Sequence, residues 1–247
     1  MTRCLARSKG RAQGFSSLLL ALALGTPAAA QQADSTDRLP LRQRLVAEQL
    51  VARGIRDSAT LAAMLAVPRH EFVPPDVQRL AYADTPLPIG HDQTISQPYI
   101  VALMTELIHP SPGDRVLEVG TGSGYQAAVL AAAGCRVWTI EIFEALANEA
   151  QARLQRLGYP DVAVRHGDGY AGWPEKAPFD AIVVTAGAEA IPSALVHQLA
   201  PGGRLVMPVG DPYTDQRLVL AEKDAGGRVT TQYLVPVRFV PLLRGVR

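Results

Sequence analysis

The apolar positions along the chain change their spacing from segment to segment. Between residues 41 and 66 they fall at Leu41, Leu45, Val46 and Leu50, then at Leu61, Met64 and Leu65. A spacing near 3.6 predicts two helices, broken around Gly54 to Asp57. Residues 68–95 lose the period and hold five prolines, Pro68, Pro74, Pro75, Pro86 and Pro88. That predicts a structured connector or lid, neither helix nor sheet. Asp84, inside it, is expected to cap a turn. Ser96, followed by Pro98 and an apolar run to Ile108, predicts a helix capped by the serine. From Arg115 onward, strand-like runs at 115–119, 136–140, 162–165, 181–185 and 204–208 alternate with helical stretches at 125–133, 143–157 and 190–199. This alternation predicts an α/β fold, a parallel sheet with helices on both faces. Runs at 217–222 and 233–240 follow with no helix between them. They are expected to pair as an antiparallel hairpin at the sheet edge.

The first thirty residues stand apart from this pattern. Arg3, Arg7, Lys9 and Arg11 precede an apolar run from Phe15 to Leu24, then Pro27 and Ala28-Ala29-Ala30. A basic start, a short apolar stretch and small residues before a cleavage point are the parts of a secretory signal. The run is shorter than the roughly 20 residues a membrane span needs. The division expected is a signal peptide at 1–30, a flexible linker at 31–40 and one domain at 41–247. Within that domain, 41–110 form an N-terminal helical and lid region and 111–247 the ligand-binding sheet. The expected location is periplasmic or exported; a permanent anchor or a later start codon, leaving the protein cytoplasmic, is the alternative.

Composition excludes several classes. Of 247 residues 48% are apolar, too many for disorder to be the main state. Taking the four N-terminal cations from the 24 basic residues leaves 20 against 23 acidic, a formal charge of −3. No field on the mature chain advertises a nucleic-acid partner. Two cysteines, Cys4 and Cys135, exclude a disulfide framework. The five histidines show no metal-ligand spacing, so no metal is expected.

The sharpest motif is Glu118-Val119-Gly120-Thr121-Gly122-Ser123-Gly124, closing one strand and opening a helix. Glycines there let a ligand approach main-chain N–H groups, although a tight turn without a ligand reads the same way. The next strand ends at Glu141, where an acid can hold ribose hydroxyls, and a third at Gly167-Asp168-Gly169, where an acid can meet an adenine amino group. All three lie at carboxyl ends of strands, where such sheets bind ligands. An adenosine-containing cofactor is therefore expected. The loop is G-x-G-x-G and misses the dinucleotide pattern G-x-G-x-x-G; Tyr-x-x-x-Lys and a phosphate-binding G-x-x-x-x-G-K are also absent. S-adenosylmethionine fits better, with an amino-acid moiety and no pyrophosphate.

The segments Val67 to Pro74, Ala81 to Gly90, Gln93-Thr94-Ile95-Ser96-Gln97-Pro98, Glu118 to Tyr125, His166 to Gly169, Pro178 to Ile182, Pro201 to Leu205 and Arg238 to Leu242 resemble the protein-L-isoaspartate O-methyltransferase family. The resemblance covers roughly residues 41–243. It implies a Rossmann-like S-adenosylmethionine-dependent methyltransferase sheet with an N-terminal helical extension. It also implies methylation of the α-carboxylate of L-isoaspartyl residues in damaged proteins, which initiates their repair. Ser96 matches the active-site serine. Thr94 and Ile95 match residues beside the cofactor, and Gly120, Glu141, Asp168 and Gly169 match its binding positions; Glu118 and Gly122 belong to the same loop. Peptides and proteins carrying isoaspartyl residues are the expected partners, with no nucleic acid, no membrane after signal removal, and a monomer as the working form. Three departures stand out: Asp92 where many bacterial members have glycine, Leu243 where some have a polar residue near the cofactor, and, the largest, the secretory start, since the family works where S-adenosylmethionine is made. Two rivals are weighed against this. A nucleic-acid amino-methyltransferase would need an Asn/Asp-Pro-Pro-Tyr-like loop where this chain has Thr185 to Glu189. The other rival is a non-catalytic adenosine-cofactor or damaged-protein binding module on the same fold.

Overall fold

The computed structural model describes residues 38–211 and 214–245. The signal-peptide segment and most of the expected linker lie outside the described residues. Helix α1 begins at Leu39–Arg44 and therefore takes up Leu39 and Pro40 from that linker. It runs on through π-helical turns at Leu45–Leu50 and a 3-10 turn at Val51–Arg53, stopping at Gly54, which adopts a left-handed φ of 102°. Helix α2 (Ser58–Ala66) starts at Asp57, whose carboxylate accepts the N–H of Thr60 at 2.7 Å.

The proline-rich connector is more regular than expected. Beside two 3-10 turns, Arg69–Phe72 and Pro75–Leu80, it forms an antiparallel hairpin of β1 (Leu87–Gly90) and β2 (Gln93–Ile95). The turn residues His91 and Asp92 have φ of 52° and 55°. Two successive positive-φ residues make the turn that matches strand twist. Pro88 is tolerated because each of the two strands has a free edge. Helix α3 (Pro98–Leu107) follows.

The central sheet holds β3 (Arg115–Val119), β4 (Arg136–Glu141), β5 (Ala163–His166), β6 (Phe179–Val184), β7 (Leu199–Gly210), β8 (Gln216–Lys223) and β9 (Val229–Val237). Its order is β5-β4-β3-β6-β7-β8-β9, parallel through β7 and antiparallel for the last two pairings. The expected edge hairpin is therefore present. Helices α4 (Tyr125–Ala132), α5 (Glu144–Arg156) and α6 (Ser193–Gln198) connect the parallel strands. The parity of β3 decides what each face buries. Val116 packs with α2, α3 and α4, while Leu117 and Val119 join Trp138, Phe179 and Leu195 in a second core. Glu118 shares the face of Val116 and is 0% exposed. The strand order reverses between β3 and β6, so the crevice at their carboxyl ends is where a ligand fits. Among the described residues no helix is long and apolar enough to cross a membrane.

Candidate functional site

Three connected spaces open at that crevice. The first is a cleft lined by Gly120 and Gly122 of the glycine loop, Glu141 to Phe143 after β4, Gly169 after β5, and Thr185 and Ala186 after β6. Residues 240–243 close one side and Gln93 and Thr94 of the hairpin roof it. The second is a groove of about 470 Å³ lined by Arg53, Ser96, Tyr99, Thr185 and residues 235–240. The third is a small cavity behind the glycine loop, bordered by Ile95, Ser96, Glu118 and Gln126. Thr94 and Thr185 line all three.

The cleft is shaped by contacts only glycine permits at two places, one in the glycine loop and one after β5. At Gly120 (φ +96°) a Cβ would lie 2.4 Å from Thr185 Oγ1, and at Gly169 it would lie 2.3 Å from Val119 Cγ1. Thr185 is pinned there because its hydroxyl donates to the Gly120 carbonyl at 2.7 Å. Glu141 clamps the loop to β4. One carboxylate oxygen accepts from Gly122 N–H at 2.7 Å and the other from the N–H groups of Ile142 and Phe143, at 2.9 and 3.1 Å. The hairpin is held over the cleft from outside by His91 stacked on Phe143, ring centroids 5.8 Å apart.

Asp168 behaves differently from Glu141. It lies two residues past the end of β5 and does not line the cleft; its oxygens accept from Tyr170 N–H at 2.9 Å and Gly245 N–H at 3.0 Å. It thus ties the strand end to the segment that carries Leu242 and Leu243 into the cleft. Asp168→Ala is expected to loosen that segment and weaken cofactor affinity by roughly tenfold, the scale of one charge-assisted hydrogen bond. Calorimetry with S-adenosylmethionine checks this, and unchanged affinity would remove Asp168 from the site.

Ser96 does not cap α3. The N-cap is Gln97, without a side-chain bond, and the free N–H of Tyr99 is taken at 2.8 Å by Asp84, fifteen residues upstream. Asp84, expected to cap a turn, is the cap of this helix; it also pairs with Arg53, whose guanidinium lies over the Tyr99 ring. Relieved of capping, the Ser96 hydroxyl makes no hydrogen bond within the described chain and borders both the groove and the small cavity. Its carbonyl is fixed by buried Arg69, which donates to Ser96 and Thr85 carbonyls at 3.0 Å. Leu243 lines the cleft in spite of being apolar.

Glu118 is the most perturbed acid in the site. Burial pushes its carboxyl up to about 8, with the bond from Thr139 opposing and the nearby charge of Glu141 adding to the rise. A carboxyl raised this far keeps its proton in the folded state. Its stabilising share is fully present below the unfolded value near 4.3 and is lost as pH rises toward 8. Glu118→Gln should therefore melt higher than wild type at pH 8, by on the order of 5–10 °C without cofactor, with the gap closing toward pH 5. Melting curves in matched buffers test this; a gap independent of pH would contradict it.

The site fits S-adenosylmethionine on chemistry as well as shape. Among the described residues the cleft is lined by Glu141 and by no lysine or arginine. That suits a ligand carrying a sulfonium and an ammonium, whereas a pyrophosphate would meet no cation. Phe143, Thr185, Ala186 and residues 240–242 are wall residues that sequence reasoning missed. Phe143 and Thr185 sit just past strand ends, as Asp168 does, so the same rule would have found them.

The fold and cleft define a Rossmann-like methyltransferase. The family model for protein-L-isoaspartate(D-aspartate) O-methyltransferase matches residues 41–247, and the chain belongs to that family. A relative from Gloeobacter violaceus named protein-L-isoaspartate O-methyltransferase is 58% identical over 200 residues, covering 81% of this chain and 97% of its own. Among solved structures, one titled protein-L-isoaspartate O-methyltransferase is 31% identical with a TM-score of 0.73; the match covers 83% of this chain and 65% of that longer one. Another, from Plasmodium falciparum, described under the same enzyme name and solved with S-adenosyl-L-homocysteine, is 30% identical with a TM-score of 0.72, covering 84% and 99%.

Proposed function

We propose that Ser96 is the residue that presents the substrate carboxylate for methylation. The chain is an enzyme that transfers a methyl group from S-adenosylmethionine to the α-carboxylate of L-isoaspartyl residues, the first step in repairing such proteins. The observation supporting the role of Ser96 is its hydroxyl, uncommitted to the helix and placed beside the wall that cleft and groove share.

A carboxylate is ionised at pH 7, so attack needs no general base. S-adenosylmethionine supplies an activated methyl on a sulfonium, a leaving group that needs no acid. What remains for the chain is alignment and exclusion of water. Ser96 donates to one carboxylate oxygen and turns the other toward the cleft past Thr94 and Thr185. Arg53 and Arg238 border the groove and attract the anion. Gly120, Gly122 and Glu141 hold the cofactor's adenosine and amino-acid parts, Thr94 and Ile95 flank it, and Gly169 leaves room beside Val119.

The test is methyl transfer by the purified protein to a synthetic isoaspartyl peptide, with the matching aspartyl peptide as control. Ester formation on the first peptide alone supports this reading. Cofactor binding without transfer would instead mark a binding module.

Export and action as a monomer belong to the same proposal, export being supported by the basic, apolar and small-residue succession of residues 1–30. The expected N-terminus is Gln31 in a periplasmic fraction. An intact Met1 in the cytosol, read by mass spectrometry of the native protein, would refute it.

A further inference from the structure

β9 ends where its neighbour begins. Gln216 opens β8 and pairs with Val237, the last residue of β9. The chain continues past this end of the ladder as residues 238–243, and that segment has an exacting place in the site. Val240 to Leu243 wall the cofactor cleft, residues 235–240 wall the groove, and Val240 lines both.

A side chain carries the pairing onward. The Gln216 carboxamide accepts the Phe239 N–H on Oε1 at 2.7 Å and donates from Nε2 to the Phe239 carbonyl at 3.2 Å. A side-chain amide has the same donor and acceptor as a peptide group, so it serves Phe239 as one more strand residue would. Gln216 is 3% exposed, which keeps water from competing for these bonds. Gly187, after β6, holds the next residues. Its N–H donates to the Val240 carbonyl at 2.8 Å, and its carbonyl accepts from Leu242 N–H at 2.7 Å. Space explains the glycine: a Cβ there would stand 2.2 Å from Gln216 Nε2 and 2.9 Å from Cδ.

Resting on the functional reading above, we infer that Gln216 is the positioning residue for the wall that cofactor cleft and substrate groove share. It lines neither space and acts through the main chain of Phe239, which fixes where Val240 stands between them. Without the carboxamide the Phe239 N–H and carbonyl lose their partner, and the wall spreads over several positions, few of which fit either ligand. Both affinities then fall by the fraction of molecules whose wall is in place. Ser96 is held separately, through Arg69. Once both ligands are bound and the wall is seated, alignment for transfer is therefore restored.

Two variants test this from opposite sides. Gln216→Met keeps an unbranched side chain of similar length and removes both bonds. Gly187→Ala leaves the carboxamide intact and pushes its mobile end off Phe239, a shift the sheet tolerates because only the end of a side chain must move. Each is expected to bind S-adenosylhomocysteine about tenfold more weakly by calorimetry, and to raise the KM for an isoaspartyl peptide about tenfold. At saturation with both ligands kcat should stay within about threefold of wild type. The double variant should be no worse than the poorer single one, since both act on one clamp. A fall in kcat with affinity and KM unchanged would mark a smaller folded fraction and overturn the proposal. Losses confined to one ligand, additive losses in the double variant, or failure of both variants to fold would overturn it too. Absence of transfer by wild type would overturn the functional reading instead, while the affinities for S-adenosylhomocysteine would still decide the part Gln216 plays in the cleft.

Discussion

Gly120→Ala is expected to cost the protein its cofactor site and part of its stability together. At a φ of +96° an L side chain is strained by roughly 1–2 kcal/mol. The added Cβ would also stand 2.4 Å from Thr185 Oγ1. Thr185 cannot yield cheaply, because its hydroxyl donates to the Gly120 and Val119 carbonyls at 2.7 and 3.1 Å. If it turns away, those bonds go and the side chain swings into the junction of cleft and groove. About 3 kcal/mol in all corresponds to a melting temperature lower by roughly 6–12 °C for a domain of this size. Cofactor affinity should fall by about a hundredfold or more. Gly202→Ala is the control: φ there is +81°, and a Cβ would meet nothing within 4 Å. It should show the strain alone, with unchanged cofactor affinity. Equal losses of affinity in the two variants would mean that the clash at Thr185 does not matter.

What was legible in the sequence followed from local rules. β3 was placed to the residue because a buried run lies between an arginine and a glycine that must turn. α6 is shorter than its apolar stretch suggests, since Pro192 holds the chain extended before Ser193. β7 starts five residues early, at Leu199, because it meets β6 before Pro201-Gly202 and the pairing absorbs the irregularity there. The hairpin at residues 87–95 was hidden by Pro86 and Pro88 and by a His-Asp turn, which lacks the usual glycine. At the site, Gly120, Gly122, Glu141 and Gly169 were found because strand ends and glycine spacing mark them. The cap supplied by Asp84 was invisible: local capping patterns span three or four residues, and this one crosses fifteen. The burial of Glu118 follows from strand parity, but the raised affinity for its proton depends on which groups surround it in space.

The helix cap also decides what Ser96→Ala must do. Had the serine capped α3, its loss would cost about 0.5–2 kcal/mol of stability. Because Asp84 bonds Tyr99 N–H instead, the melting temperature is expected to stay within about 1 °C, whereas Asp84→Ala should lower it by several degrees. Cofactor affinity should change less than about twofold, since Ser96 is absent from the lining of the main cleft. The loss falls on turnover. A hydroxyl that aligns one oxygen of a charged substrate contributes most when the other oxygen is in line with the methyl group, so kcat should drop by about 10–100-fold. Ser96→Thr keeps the hydroxyl on a branched side chain and should recover part of that activity. Steady-state kinetics on an isoaspartyl peptide at saturating S-adenosylmethionine separate these effects. Wild-type turnover in Ser96→Ala would show that the carboxylate is held by the groove's arginines and main chain alone, and that the free hydroxyl is incidental.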